Sequence, residues 1–202
     1  LVDYSASMNY GSPISKFDYA SMIGVGFAYL AMKDNEKFQF ATFSEELNLF
    51  QSRKGMGQLA SMVDHLNNLK VNGRTDFLKT LGSYKKLVGS RSLIIIISDM
   101  LFNLDDIKDA LIGLGRHDIK LIQVLDKQEK DLKLEGDFKL KDSETNDEMR
   151  TFVSPRLIKN YTSMLDNHTA KIKEICNSLN INYYQVTSDK PIFDTFYEVL
   201  KT

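Results

Sequence analysis

Near its beginning the chain carries Asp3-Tyr4-Ser5-Ala6-Ser7-Met8, in which three oxygen-bearing side chains stand at every second position just after the apolar pair Leu1-Val2. In extended backbone alternate side chains point the same way, so Asp3, Ser5 and Ser7 can converge on one point. Carboxylate and hydroxyl oxygens without sulfur or imidazole suit a hard cation, Mg²⁺, Mn²⁺ or Ca²⁺. Alone the pattern is weak, since roughly one chain in twenty of this size would show Asp-x-Ser-x-Ser by chance. Two further segments strengthen it. Gly73-Arg74-Thr75-Asp76 is a polar loop before a helical stretch and offers the Thr75 hydroxyl. Ser98-Asp99 closes the most apolar run of the chain and places a second carboxylate at its carboxyl end. Each segment also has a plainer reading. Asp3, Ser5 and Ser7 suit a capped turn, Thr75 and Asp76 the N-cap of a helix, and Asp99 a solvated strand end.

The elements that must position these groups alternate. Lys16 to Lys33 reads as a long helix from the helical spacing of Phe17, Ala20, Ile23, Phe27 and Leu30. Residues 38–43 alternate as a strand, and Gly57 to Leu69 and Asp76 to Val88 are helical. Leu93 to Ser98 is a buried strand, too short to cross a bilayer. Asp105 to Leu114 is a helix stopped by Gly115, and Ile119 to Leu125 a strand. Lys127 to Phe152 breaks the rhythm: it is charged, with short alternating pieces around Thr145-Asn146-Asp147, and suggests an inserted β-hairpin. Pro155 opens a helix to about Leu179, followed by a strand from Ile181 to Val186 and a helix from Pro191 to Leu200. The fold class expected is α/β: a three-layer, doubly wound, mostly parallel sheet with helices on both faces, in one domain over residues 1–202. Ligands of such sheets bind just outside the carboxyl ends of the strands, where Asp3 and Asp99 fall.

Composition removes several classes of function. With 43% hydrophobic and 26% charged residues and a formal net charge of -1, the chain resembles an ordinary globular protein and has no field to attract nucleic acid. Cys176 stands alone, and His65, His117 and His168 are scattered, so neither a disulfide nor a zinc site of familiar spacing is expected. The lone cysteine points to a reducing, cytoplasmic setting. Only two residues precede the first loop motif, from which missing upstream residues are inferred, and any membrane anchor would lie there. Gly24 and Gly26 fall inside a helical pattern without phosphate-loop context and are expected to let a helix approach the sheet closely. Ser83-Tyr84-Lys85-Lys86 matches Ser-x-x-Lys but lies on an amphipathic helix without companion motifs, so it reads as a solvated face.

Asp3-x-Ser5-x-Ser7, Thr75 in a Gly-x-Thr loop and Asp99 after an apolar strand resemble the metal-ion-dependent adhesion site of von Willebrand factor A domains. Asp142-Ser143-Glu144-Thr145, Tyr161, His168 and Ile-Asn-Tyr-Tyr-Gln-Val-Thr-Ser-Asp-Lys-Pro at 181–191 resemble the prokaryotic "domain of unknown function 58" family. The family more often has Gly where this chain continues with Thr145-Asn146. The resemblance implies that Ser5, Ser7 and Thr75 bind the metal directly, with Asp3 and Asp99 binding directly or through water. It also implies work beside a MoxR-type AAA+ ATPase and membrane segments upstream, which would hold the domain on a cytoplasmic face.

The expected function is a metal-dependent protein-interaction module whose open coordination position takes an acidic side chain, rather than an enzyme. Tyr4, Met8, Tyr10 and Arg74 are expected to form the contact rim, because aromatic, Met and Arg residues are enriched in interface cores. The alternative is a Mg²⁺-dependent hydrolase or phosphotransferase. Against it stand the lack of a phosphate loop, of an Asp-x-Asp-x-Thr pattern and of an evident base.

Overall fold

In the computed structural model, residues 1–130, 136–141 and 148–201 are described. Along the chain run β1 (Val2–Asp3), a 3-10 turn (Ala6–Asn9), α1 (Lys16–Lys33), β2 (Ala41–Phe43), β3 (Leu47–Leu49), α2 (Met56–Asn68) and α3 (Phe77–Leu87). Then follow β4 (Leu93–Ser98), α4 (Leu104–Gly113), β5 (Asp118–Leu125), α5 (Lys127–Lys130), β6 (Gly136–Lys141) and β7 (Glu148–Val153). α6 (Pro155–Ser178), β8 (Asn182–Thr187) and α7 (Ile192–Leu200) complete them. A six-stranded sheet has the order β3-β2-β1-β4-β5-β8 and is parallel except where β3 runs against β2. Since β8 is the sixth strand of that sheet, this is the doubly wound order, and it reverses between β1 and β4.

The sheet is covered on both faces. Apolar side chains of α3, α4 and α6 pack on one face with Ile94, Ile96, Ile119 and Leu121; those of α1, α2 and α7 pack on the other with Val2, Ile97, Ile122 and Val124. Burial of alternate residues in opposite layers explains why β4 reads as an unbroken apolar run. Gly24 brings α1 against the sheet and α2: a Cβ there would lie 3.2 Å from Val2 and 3.2 Å from Met62. A Cβ at Gly26 would strike the Phe196 ring of α7 at 2.0 Å. Gly24 thus allows the expected close approach to the sheet, whereas Gly26 makes room for a helix, α7, instead. Ser83 lies exposed on α3 and bonds back to the Lys79 carbonyl, as a solvated helix face would.

The strand expected over 38–43 is shorter in the ladder. Ala41–Phe43 pairs, whereas Phe38 makes an isolated bridge to Arg53. β3 was not anticipated, because three half-buried residues at a sheet edge are too few for period-two alternation to register. The expected insertion is an antiparallel pair, β6 with β7, in register from Gly136↔Val153 to Lys141↔Glu148. Its tip, with Asp142, Ser143, Glu144 and Thr145-Asn146-Asp147, lies outside the described residues. Among the described residues no helix is long and apolar enough to cross a membrane.

Candidate metal centre

β1 is only two residues long but is held on both sides, with Val2 paired to Thr42 of β2 and to Ile97 of β4. This puts Asp3 at the strand-order reversal, fully buried. Asp3 Oδ1 accepts the Ser5 N–H at 2.9 Å and the Thr75 hydroxyl at a longer 3.4 Å, while Oδ2 accepts the Ser98 hydroxyl at 2.7 Å. The Ser5 and Ser7 hydroxyls lie 3.2 Å apart. The loop bearing Thr75 is stitched to the same segment, Ala6 N–H donating to the Gly73 carbonyl and Asn72 N–H to the Tyr4 carbonyl. Asp3, Ser5, Ser7 and Thr75 are thus brought together, but not by continuous extended backbone. The chain leaves β1 at once and turns into the 3-10 segment Ala6–Asn9. Asp76, not Thr75, caps α3, its side chain accepting the Lys79 N–H. The Thr75 hydroxyl is therefore directed at Asp3 rather than spent on the helix.

Asp99 is also fully buried, at the end of β4. Its Oδ1 accepts the Leu101 N–H at 3.3 Å, and its Oδ2 accepts the Lys16 ammonium at 2.9 Å. Gln123 anchors its backbone carbonyl. Lys16, the first residue of α1, is itself 0% exposed and also donates to Glu129 Oε1 at 2.7 Å. A reciprocal capping box of Ser15 and Asp18 starts α1 at this point and so aims Lys16 inward. Lysine is almost never fully buried without a partner, and here it has two carboxylates.

The two carboxylates differ electrically. Burial, and then the charge of Asp99, push Asp3 up to about 7; the bonds from Ser5 and Ser98 only partly oppose this. Burial disfavours the Lys16 ammonium, but Asp99 and Glu129 outweigh it and raise its pKa. Glu129 is raised by burial, moderated by Lys16. Asp99 therefore has a cation in contact, whereas the donors to Asp3 are all neutral. An uncompensated buried carboxylate is costly. Beside it lie hydroxyls with lone pairs to spare, and this donor set fits a hard dication. Among the described residues no three His, Cys, Asp or Glu side chains cluster into a metal-binding group, so any ion here must rely on hydroxyls.

The expected rim is only partly at the surface. Tyr10 is 43% exposed and bonds Gln128, and Arg74 is exposed. Tyr4 is half-buried, its hydroxyl accepting from Asn48. Met8 is a correction: the 3-10 turn rotates it wholly into the core with α1 and α2, so its side chain cannot form a contact rim. Leu101, 45% exposed and bonded through its N–H to Asp99, was missed. Tyr161 entered only through the resemblance. Its phenol is raised by burial and by the charge of Glu129, which places it in the field of the same cluster. Lys16 and Glu129 were missed as well. The one available signal was a cation in the first turn of a helix, where it opposes the helix dipole and calls for a reason.

An open, doubly wound α/β domain with buried polar groups at the strand-order reversal is the class that fold and site define. The chain belongs to the family described as "Protein of unknown function DUF58", whose model matches residues 1–171. It is similar in fold to a crystal structure described as conserved hypothetical protein BatB from Bacteroides thetaiotaomicron, with TM-score 0.60 and 13% identity over 99% of this chain and 94% of that one. It is similar, with TM-score 0.59 and 13% identity over 99% of this chain and 94% of the other, to a Bacteroides fragilis structure described as an aerotolerance-related membrane protein with multiple mutations to serines. No curated protein matches the sequence.

Proposed function

We propose that this chain is a von Willebrand factor A-like interaction module that holds a divalent cation, Mg²⁺ or else Mn²⁺ or Ca²⁺, and uses it to bind an acidic residue of a protein partner. Ser5, Ser7 and Thr75 would hold the ion directly, and Asp3 and Asp99 directly or through water. Bound there, the ion supplies a Lewis-acidic position for a carboxylate oxygen. The observation that carries the reading is Asp3: a fully buried carboxylate at the strand-order reversal, with neutral donors only and hydroxyls around it. The family resemblance supports a MoxR-type AAA+ ATPase as partner. Attachment to the cytoplasmic face of a membrane rests on the resemblance and on the description of one structural neighbour as a membrane protein. Tyr10, Arg74 and Leu101 are the exposed residues suited to the contact.

Calorimetric titration of chelator-treated protein with Mn²⁺ should find one site, lost in Asp3→Ala and in Ser5→Ala combined with Ser7→Ala. Retained affinity in both variants would overturn the assignment. Chelator alone should leave the far-ultraviolet circular dichroism unchanged, since a chain of this size does not need an ion to fold. Saturation at a hundredfold excess over Kd should add about 2.7 kcal/mol of stability. Capture of the ATPase should require Mg²⁺. Turnover of ATP or a phosphoester would instead favour the hydrolase alternative.

A further inference from the structure

We infer that Lys16 is a resident counter-ion of the site: its ammonium stands in for a divalent cation at Asp99 when metal is absent, and with Glu129 it sets how tightly metal is held. This rests on the metal-binding reading above and names the regulation of that same site. Lys16 lies 83 residues from Asp99 and 113 from Glu129 in sequence, yet it contacts both, at 2.9 and 2.7 Å. Its side chain and that of Asp99 are excluded from water (0% and 1% exposed), while Glu129 is 17% exposed. No surface requirement explains an ammonium at this place. Among apolar side chains alone it would be a defect; against a buried carboxylate it offsets part of the cost of burying that charge.

The charges have a simple balance. Lys16 carries one positive charge against the two carboxylates it contacts, Asp99 and Glu129, so the cluster keeps a negative balance that a cation can neutralise. Lys16 and an incoming dication share Asp99, so they compete for it and repel each other. Charges a few ångströms apart in a protein change each other's binding by well over tenfold. Glu129, which also accepts from Lys16, screens that repulsion. It sits on α5, just after the carboxyl end of β5. Glu129 is itself braced by the Asp126 N–H at 3.0 Å.

The opposite signs expected of two neighbouring substitutions give the test. Mn²⁺ affinity is measured by calorimetry, and thermal unfolding is followed with chelator and with Mn²⁺, for wild type, Lys16→Met, Glu129→Gln and the double variant. Lys16→Met should bind Mn²⁺ at least tenfold more tightly, and its midpoint should fall in chelator and recover with Mn²⁺. Glu129→Gln, with the cation left less screened, should bind Mn²⁺ severalfold more weakly. The double variant, which loses one charge of each sign, should return towards wild type. A purely structural role for Lys16 would instead weaken binding in every variant, and that result would overturn the inference, as would unchanged affinities. Should Lys16→Met alone fail to fold, Glu129→Gln and the double variant decide the question. Absence of Mn²⁺ binding by wild type would overturn the metal reading itself; normal wild-type binding with the wrong signs in the variants would overturn only the role of Lys16.

Discussion

Ile97 pairs with Val2 across the β1–β4 ladder, and one residue further along the same two strands stand Asp3 and Ser98. All four are buried. On the Ile97 side of that step, burial is achieved with apolar side chains between two helical layers. On the other side it is achieved with carboxylates, hydroxyls and a lysine, bound to one another. The first region gains from exclusion of water, whereas the second is held in place despite it. The contrast locates stability in the middle of the sheet and the proposed binding chemistry at its carboxyl edge, where local departures from good burial are characteristic of functional sites.

The contrast breaks most clearly if the edge proves as important to stability as the middle. Leu111→Ala, at a fully buried position of α4, should cost about 2–5 kcal/mol in urea unfolding. Asp3→Asn, in metal-free protein, should leave stability at neutral pH unchanged or raised, because it removes a buried charge. A loss from Asp3→Asn as large as that from Leu111→Ala would erase the distinction.

The next effect is a pH slope. Asp3 has a pKa of about 7 in the folded protein against an ordinary 3.8, so folding favours its protonated form. Its contribution to stability is complete below about pH 4 and is lost as pH rises through 7. Without metal, the protein should therefore lose this contribution progressively as pH rises from about 4 to about 8. Urea unfolding in chelator across that range should show the slope, and Asp3→Asn should flatten it. An equal slope in the variant would move its origin elsewhere.

The smallest effect sharpens the boundary within one loop. Asp76→Ala removes the cap of α3 and should cost about 1 kcal/mol while leaving Mn²⁺ affinity intact. Thr75→Ala should do the reverse, lowering affinity with little change in stability. Loss of affinity from Asp76→Ala would mean that helix capping and ion binding cannot be separated there.

β4 was legible in the sequence because both of its faces are covered, which leaves no polar alternation to obscure it. The long helices were legible for the same kind of reason, through apolar periodicity that packing requires. Asp3, Ser5, Ser7, Thr75 and Asp99 stood out by chemical type and by falling where strands end. β3 did not, being short and at an edge. Met8 misled, because an exposed Met and a buried one look alike in a loop, and the 3-10 turn decided which it is.

Local order therefore determined the α/β class, the succession of the longer elements and a set of oxygen donors, since periodicity and strand-end position are properties of neighbouring residues. Only the tertiary structure decided which of those donors is already compensated. A lysine at the start of a helix reads as solvated. The docking of α1 over the β1–β4 reversal places Lys16 beside Asp99 and Glu129, more than eighty residues away. The reason is that burial and electrostatic balance are set by contacts distant in sequence, and a charge has its meaning only in the company of the charges around it.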